Sequence, residues 1–364
     1  MADVTLEHLS KAAGVAKSTV SMALRNHPHI AVKTRERIQR LAEEMGYRPN
    51  PSISALMAHI RNRKPIRSHD VLAFVSGFPD VAGLEAVPEY REAYRGARAR
   101  AEEQGYRMDF FELPEKKSGH RRLSDILTAR GIQVVVIGPH AVKLDVAELA
   151  WDRFSSAMIG YGTSKPPLNR AVPNHYTDVL LAIKRLLQAG YRRIGACFCR
   201  RDDADADYLL SAAYQAYQAR LAEADRVPLL LMEDPQGEGF LAWMAEHRPE
   251  AVIVQDERPY GWLREAGYTI PADVACLPLT LEPGEPFFSG ICPHWRLVGA
   301  AAVDLAVAAA RRNETGIPPQ NKNVQVYGYW IDGRTHTRRE ARSPIRECGF
   351  EGLMYTGAPP AAAS

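Results

Sequence analysis

Three short amphipathic patterns open the chain and predict three helices. Apolar residues recur at three- and four-residue intervals, the spacing of one helix face, at Leu6, Leu9 and Ala13, at Val20, Ala23 and Leu24, and at Ile38, Leu41, Ala42 and Met45. Gly14-Val15-Ala16 predicts a turn between the first two helices, and Gly46 can end the third in the left-handed conformation. Three apolar faces on three short helices can bury one another in one small core.

A fourth short helix is predicted over 51–60. Asn50 can cap it and Pro51 suits its first position, and its apolar side would comprise Ile53, Leu56, Met57 and Ile60. A helix below roughly 12 to 15 residues is marginal alone in water, so this one needs a surface to lie against. The alternative is a plain linker whose apolar patch packs on the rest of the protein.

Beyond residue 63, apolar runs alternate with amphipathic stretches. Strands are predicted at 71–76, 107–113, 134–137, 157–161, 194–198, 229–232, 252–255 and 274–277, and helices at 89–105, 123–129, 144–154, 175–189, 208–222, 240–246 and 260–266. This alternation predicts an α/β fold with parallel sheets covered on both faces. About 270 residues exceed one comfortable α/β core, so two lobes are expected.

The second helix carries a polar side opposite its apolar one, formed by Lys17, Ser18, Ser21, Met22 and Arg25. Residues 1–64 hold eleven Lys and Arg against five Asp and Glu, whereas the rest of the chain is net acidic. Basic charge gathered at one end is what phosphate neutralisation requires. A helix-turn-helix unit that addresses the DNA major groove is therefore predicted. The alternative is a three-helix domain that binds protein.

The ordered motifs VTLEHLSKAAGV, STVS, TRERI and GYRPNP resemble the LacI (lactose-repressor) family of bacterial transcription regulators, and weaker similarity extends to about residue 340. The resemblance implies a three-helix headpiece and a two-lobed, periplasmic-binding-protein-like core of doubly wound parallel sheets. The predicted domains are the headpiece at 1–49, a hinge helix at 50–63, an effector-binding and dimerisation core at 64–340, and a C-terminal extension at 341–364 with a disordered tail. Within the core we expect an N-lobe at about 69–162 and 290–322 and a C-lobe at about 163–285 and 323–340.

By this resemblance, the second helix reads operator bases through Lys17, Ser18 and Met22. Met22 stands where the family often has Arg or His, and a thioether suits apolar contact with a thymine methyl group. Paired hinge helices of a dimer would insert Leu56 into the central minor groove. The predicted DNA-binding residues are Thr5, Lys17, Ser18, Thr19, Ser21, Met22, Arg25, Asn50, Ile53 and Leu56, with Thr19 and Ser21 on phosphates.

Two alanines stand where the family usually has a serine helix cap. They are Ala16 and Ala31. A lost cap costs about 1 kcal/mol, so we expect a headpiece of marginal stability.

Ligands of open α/β sheets lie beyond the carboxyl ends of the strands. Aromatic and short polar side chains there suit a sugar or polyol, the commonest effector class of the family. Gln255-Asp256 replaces the family's Asn-Asp, Asn174-His175 replaces its Asp-Asn, and two further sugar-binding side chains, an Arg and an Asp, have no counterpart. We therefore expect a carbohydrate or related metabolite bound in an unusual way. The predicted effector-binding residues are Phe78, Tyr90, His175, Gln255, Asp256, Tyr260 and Trp295.

The sequence carries only weak signals of metal, dinucleotide or catalytic sites. Cys197 and Cys199 lack the spacing and partner pair of a zinc site. The start of a dinucleotide fingerprint at 160–163 runs into Pro166-Pro167 where a helix should open. No metal, cofactor or catalytic residue is predicted, and the protein is not expected to be an enzyme. Five cysteines and a polar amino terminus indicate a reducing cytoplasm, and the longest apolar helix is too short for a membrane role.

The sequence thus predicts a homodimeric, DNA-binding repressor on a pseudo-palindromic operator, controlled by a small-molecule effector. The main alternative is a soluble sugar-binding or transport component with an unrelated helical extension. A flat salt dependence of DNA retention would favour that alternative. A third class, a nucleotide-dependent enzyme on a doubly wound sheet, would require a bound cofactor.

Overall fold

A computed structural model describes residues 5–24, 30–47, 71–139, 146–161, 165–233, 237–284 and 287–338. These ranges contain an amino-terminal three-helix unit and a two-lobed α/β body, which confirms the predicted fold class. The predicted hinge helix, the C-terminal extension and four predicted DNA-binding residues lie outside the described residues. Those four are Arg25, Asn50, Ile53 and Leu56.

The three-helix unit consists of α1 (Leu6–Ala13), α2 (Lys17–Leu24) and α3 (Val32–Glu44). Its core is formed by the predicted apolar faces, with Leu9, Val20 and Ile38 fully buried. Gly14 ends α1 with a φ of 66°, the left-handed conformation that favours glycine. The two short helices and their turn therefore follow directly from the local sequence.

The N-lobe is built on a parallel six-stranded sheet with the strand order β11-β5-β4-β3-β1-β2. Its strands are β1 (Val71–Ser76), β2 (Arg107–Glu112), β3 (Val134–Ile137), β4 (Ser155–Ile159), β5 (Arg170–Pro173) and β11 (Asn323–Val326). The helices of this lobe are α4 (Val81–Glu85), α5 (Pro88–Glu103), α6 (Lys117–Ala129) and α12 (Trp295–Arg311). Buried residues of α5 and α12 cover one face of the sheet, and those of α6 cover the other.

Helices α5 and α12 approach each other closely enough to exclude side chains at two positions. A Cβ atom at Gly96 would collide with the backbone of Arg296, and one at Gly299 would collide with the backbone of Ala93. Only glycine fits where two backbones meet in this way. The two helices thus form one tightly joined layer on the sheet.

The C-lobe holds a second parallel sheet, with the strand order β7-β6-β8-β9. Its strands are β6 (Ile194–Cys199), β7 (Leu230–Met232), β8 (Ala251–Val254) and β9 (Ala275–Pro278). Its helices are α7 (His175–Gln188), α8 (Arg200–Asp205), α9 (Leu209–Gln218), α10 (Gly237–His247) and α11 (Arg258–Glu265). Two further strands, β10 (Gly290–Cys292) and β12 (Tyr329–Ile331), pair antiparallel and contact α7.

The lobe boundaries differ from those expected from the sequence. β5 pairs with β4, and β11 pairs with β5, so both strands belong to the N-lobe sheet. The chain therefore passes between lobes at about 174, 293 and 327–328, rather than near 162, 285 and 323. Both strands are short and of mixed polarity, and β10 is only three residues long, so the apolar pattern did not reveal which sheet they join.

One predicted helix is wrong, and one observed helix, α8, was not predicted. In the described part of 144–154 only a 3₁₀ turn, Trp151–Arg153, is present. Its apolar residues are buried in an irregular segment, where the Trp151 indole donates to the carbonyl of Val146 over 3.0 Å. The helix predicted at 208–222 is α9, which two residues with positive φ, Asp207 and Tyr208, separate from α8. No helix of the described ranges is both long and apolar enough to cross a bilayer.

Candidate functional site

The outer face of α2 presents polar side chains on the surface of the three-helix unit. Lys17 and Ser18 are exposed, and Thr19, Ser21 and Met22 are partly exposed, while Val20 and Ala23 are fully buried. The arrangement follows from the 100° rotation between successive helical residues. All five predicted α2 contacts with DNA therefore reach the surface of the unit.

Lys17 already has an anionic partner within the unit. Its Nζ atom donates to a carboxylate oxygen of Glu7 over 2.8 Å, and both side chains are more than half exposed. The Lys17 hydrogen bond and charge hold the pKa of Glu7 below its usual range. An exposed pair of this kind is weak and screened by salt, so Lys17 remains able to exchange Glu7 for another anion.

Polar side chains close the ends of α1 and α2 in ways that the sequence did not reveal. Thr5 caps α1 by accepting the N–H of His8 over 3.4 Å, and the His8 ring accepts the N–H of Thr5 in return. From α3, Arg37 donates to the carbonyl of Ala13 over 3.1 Å and Gln39 donates to that of Ala23 over 3.2 Å. The sequence signal for a capping box is Glu or Gln at the third helical position, and His8 does not match it.

The N-lobe contributes one wall of the cleft between the lobes. The rings of Phe78 and Tyr90 meet edge to face with centroids 5.9 Å apart. Burial raises the pKa of Tyr90 to about 12, with smaller contributions from the charges of Glu89 and Asp202. Burial also raises the pKa of Glu89, helped by the charges of Glu282 and Asp256. Carboxylates of the opposite wall therefore act electrostatically on residues at the start of α5.

The C-lobe wall holds two predicted effector residues in a network of hydrogen bonds. Gln255 donates to Asp202 over 2.7 Å and accepts the N–H of Cys199 over 3.2 Å. Arg258 grips both carboxylate oxygens of Asp256, with its Nη2 atom 2.6 Å from Oδ2. Asp202 and Arg258 were not predicted, although the spacing of Asp256 and Arg258 could have suggested their pairing.

Two cavities, both open to solvent, lie along the cleft. The first, of about 290 Å³ with its open mouth included, lies at the carboxyl ends of the C-lobe strands. Its lining includes Cys197, Cys199, Met232, Gln255, Asp256 and Trp262. The second, of about 340 Å³ with its open mouth included, lies between the starts of α5 and α12 and the segment after β9. Its lining includes Glu89, Glu92, Leu281, Glu282, His294 and Trp295. Arg91 pairs with Glu282 over 2.5 Å across this second cavity's edge.

The predicted effector residues are therefore distributed over several places. Gln255 and Asp256 line the first cavity and Trp295 lines the second, where its indole N–H is buried without an acceptor among the described residues. His175 stacks on Tyr161 with centroids 5.5 Å apart, and burial lowers the pKa of His175 to about 4. Tyr260 packs against Phe287 and Phe288, at 5.5 and 5.1 Å, and lines neither cavity.

Cys197 and Cys276 of the C-lobe sheet lie in an apolar environment. Cys197 contacts the sulfur of Met232 at 3.4 Å, and burial raises its pKa to about 12. Burial likewise raises the pKa of Cys276. Among the described residues, no group of three or more His, Cys, Asp or Glu side chains is placed to hold a metal ion.

Two regions of the chain match known protein families. Residues 5–50 match the family described as bacterial regulatory proteins, lacI family, and residues 183–335 match the periplasmic binding protein-like domain. Among curated relatives, the regulator DegA of Bacillus subtilis is 28% identical over 53% of this chain and 54% of its own length. The repressor CytR of Escherichia coli is 26% identical over 52% of each chain. The chain spans about half the length of these two relatives.

A longer match is the regulator CelR of Thermobifida fusca, 27% identical over 83% of this chain and 91% of its own. Solved structures show the same fold. A CelR–cellobiose complex has a TM-score of 0.55 at 20% identity, covering 91% of this chain and 99% of its own. A lac repressor dimer bound to operator and the anti-inducer ONPF has a TM-score of 0.55 at 17% identity, covering 92% and 100%.

Proposed function

We propose a function from one premise: the chain belongs to the lacI family of bacterial regulatory proteins. On that basis it is a sequence-specific DNA-binding transcriptional regulator, a repressor whose operator affinity is controlled by a small-molecule effector. The observation that carries the proposal is the exposed polar face of α2 on a basic three-helix unit. A helix with donors on its open face is what major-groove recognition requires.

Within this proposal, Lys17, Ser18 and Met22 contact base edges, and Thr19 and Ser21 contact phosphates. Thr5 lies at the start of α1, where a helix N-terminus favours a phosphate oxygen. Lys17 exchanges Glu7 for DNA on binding. Arg25, Asn50, Ile53 and Leu56 complete the proposed contacts from the sequence alone, with Leu56 as the wedge in the central minor groove.

The proposed partner arrangement is a homodimer on a pseudo-palindromic operator. Support comes from the solved lac repressor dimer bound to operator, which shares the fold of this chain over 92% of its length. Two-fold symmetry in a protein matches two-fold symmetry in its DNA site. The hinge segments of two copies would meet at the centre of that site.

The proposed effector is a carbohydrate or related metabolite bound between the lobes. Related structures support this class, since one CelR complex contains cellobiose and one LacI-family regulator of Enterococcus faecium contains ribose. Phe78 and Tyr90 offer aromatic faces, Gln255 and Asp256 offer acceptors, and the buried Trp295 indole offers a donor. His175, stacked on Tyr161, and Tyr260, packed against Phe287 and Phe288, complete the proposed set.

We further propose that the protein acts as a regulator and not as an enzyme, without a cofactor, in the cytoplasm. Its family members are transcriptional regulators.

The test uses the full chain and a duplex selected by it from a random-sequence pool. Lys17→Ala should weaken binding roughly five- to 150-fold, since one base contact contributes about 1 to 3 kcal/mol. The matched control is Lys116→Ala, an exposed lysine of the N-lobe, which should bind like the parent. Equal affinity of the two variants in fluorescence anisotropy, or a flat salt dependence for the parent, would refute the proposal and favour a sugar-binding protein.

A further inference from the structure

The three segments that connect the lobes meet at one buried carboxyl group, that of Asp178 on α7. Its Oδ1 atom accepts the N–H of Gly328, in the segment between β11 and β12, over 3.0 Å. A Cβ atom at Gly328 would lie 2.6 Å from that oxygen and 2.8 Å from the carbonyl oxygen of Cys292, at the end of β10. The junction therefore has no room for a methyl group.

A second hydrogen-bonded link joins the same segments beside Asp178. Asn174, in the segment between β5 and α7, donates its side-chain amide to Gln325 over 3.1 Å. Its backbone N–H also bonds the carbonyl of Val326 over 2.8 Å. Any change in the relative position of the lobes must rearrange this junction, because every connection between them passes through or beside it.

Asp178 is buried, and no described residue forms an ion pair with it. Its exposed fraction is 1%, and its Oδ2 atom accepts no hydrogen bond from the described residues. The cations of its own helix, Lys184 and Arg185, lie about 9 to 11 Å further along the helix axis. Burial raises the pKa of Asp178 to about 8, although the Gly328 hydrogen bond opposes this.

The ionisable groups on neighbouring elements are phenols, a thiol and imidazoles. They are Tyr161 before β5, Cys292 on β10, His294 before α12, Tyr329 on β12, Tyr214 and Tyr217 on α9, and His175 on α7. The charged residues beyond them, Arg170, Asp207 and Glu92, act on Tyr161, Cys292 and Tyr329 and do not contribute to the pKa shift of Asp178. Burial lowers the pKa values of His175 and His294 and raises those of Tyr161, Tyr329 and Cys292. None of these five therefore supplies a charge at pH 7 to compensate an ionised Asp178.

We propose that Asp178 is a proton-binding site of the junction between the lobes. It holds a proton in the packed junction, and release of that proton loosens the junction and changes the relative position of the lobes. The physical reason is that an ionised carboxylate needs donors for both oxygens, and the packed junction supplies one. Water would reach Oδ2 only if the three segments separated. The coupling between lobes is thereby linked to one proton.

The direction of the pH dependence follows from the raised pKa of Asp178. A carboxyl that holds its proton more tightly when packed favours the packed junction below its packed-state pKa. The ratio of loosened to packed junction then rises up to tenfold per pH unit between about pH 4 and pH 8, and levels off above that range. Protonation of Asp178 concerns the junction between the lobes and does not depend on DNA binding, so its test is independent of the proposed function.

The test is backbone hydrogen exchange of the full chain, followed by mass spectrometry on a peptide that covers 326–329. Asp178→Asn is the comparison, because an amide of the same shape cannot ionise. The ratio of exchange rates, wild type over Asp178→Asn at the same pH, should rise up to tenfold per unit between pH 6 and pH 8. Asp125→Asn, at an exposed aspartate of α6, should follow the wild type. A constant ratio from pH 6 to pH 9 would overturn the proposal.

A second measurement does not depend on any variant. Infrared spectroscopy of the wild type with isotope-labelled aspartate reports protonated carboxyl groups. At pH 7 one aspartate should remain protonated and should lose its proton as the radius of gyration from small-angle X-ray scattering changes. Complete ionisation of all aspartates at pH 6, or ionisation without any change in the radius, would refute the coupling.

Discussion

The three-helix unit and the two-lobed body bury their apolar residues in different ways. The unit has a core of six buried residues, three of which are alanine, and polar side chains such as Arg37 and Gln39 close the ends of α1 and α2. The body instead buries whole strands of branched side chains between helices. The small unit thus depends on a few contacts, whereas the body distributes its stability over many.

The largest effect expected from this difference is that of Leu9→Ala. Removing a fully buried leucine costs about 2 to 5 kcal/mol, which is comparable with the whole stability of a small three-helix unit. We expect calorimetry to show loss of the unit's transition, with the body's transition unchanged. The matched change in the body, Ile253→Ala, should lower the body's melting temperature without unfolding it. Equal loss of both transitions in either variant would show that the two regions unfold together.

The next effect concerns pH and lies in the body alone. Because burial lowers the pKa of His175 to about 4 in the folded state, the unfolded chain binds this proton first, near pH 6.5. Stability should therefore fall as pH drops from about 6.5 to about 4, by at most about 1.4 kcal/mol per pH unit. His175→Gln should lose this part of the slope in urea titrations monitored on the body. An unchanged slope would contradict the assignment of a neutral His175.

Arg37→Ala tests whether side chains hold the small unit together. The variant removes the hydrogen bond to the carbonyl of Ala13, and we expect a loss of about 1 to 1.5 kcal/mol in the unit's stability. Arg40→Ala, an exposed arginine on the same helix, is the matched control. If the two variants have equal unfolding midpoints by circular dichroism, the helix ends do not depend on this contact.

The smallest effect is a gain. Ala31 precedes α3 without a side-chain hydrogen bond to the helix, and Ala31→Ser should stabilise the unit by about 0.5 to 1 kcal/mol. The change should raise the first thermal transition and leave the second in place. Ala31→Gly is the control, since it gives freedom to the backbone but adds no acceptor. A serine variant that melts like the glycine variant would show that the cap does not form.

Local sequence patterns were enough to predict the elements that carry their own signals. The three short helices follow from three- and four-residue spacing and Gly14, and β1 and β3 follow from uninterrupted apolar runs. The sheet membership of β5 and β11 was not predictable, because pairing with distant strands decides it. The helix predicted at 144–154 shows the same limit, since the buried residues of its described part, Val146, Leu149, Trp151 and Phe154, pack in the N-lobe core without forming an α-helix.

The candidate sites also differ in whether local sequence or distant contacts determine them. The polar face of α2 could be read from the sequence, because helix geometry alone fixes which side chains share a surface. The cleft could not, since Gln255 meets Asp202 only after β6 and β8 pair. Asp178 gave no signal at all in the sequence, because its burial results from the meeting of three distant segments.

The glycine contacts between α5 and α12 also constrain how this cleft can diversify. Tyr90 and Trp295 lie on two helices whose backbones meet at Gly96 and Gly299. Sliding or tilting either helix would therefore disrupt the close packing between them. New ligand preferences on this wall must therefore arise from side-chain substitutions, since the two helices keep their positions. On the opposite wall the short helices α8 and α11 begin soon after β6 and β8 end, and we expect related sequences to differ in length there first.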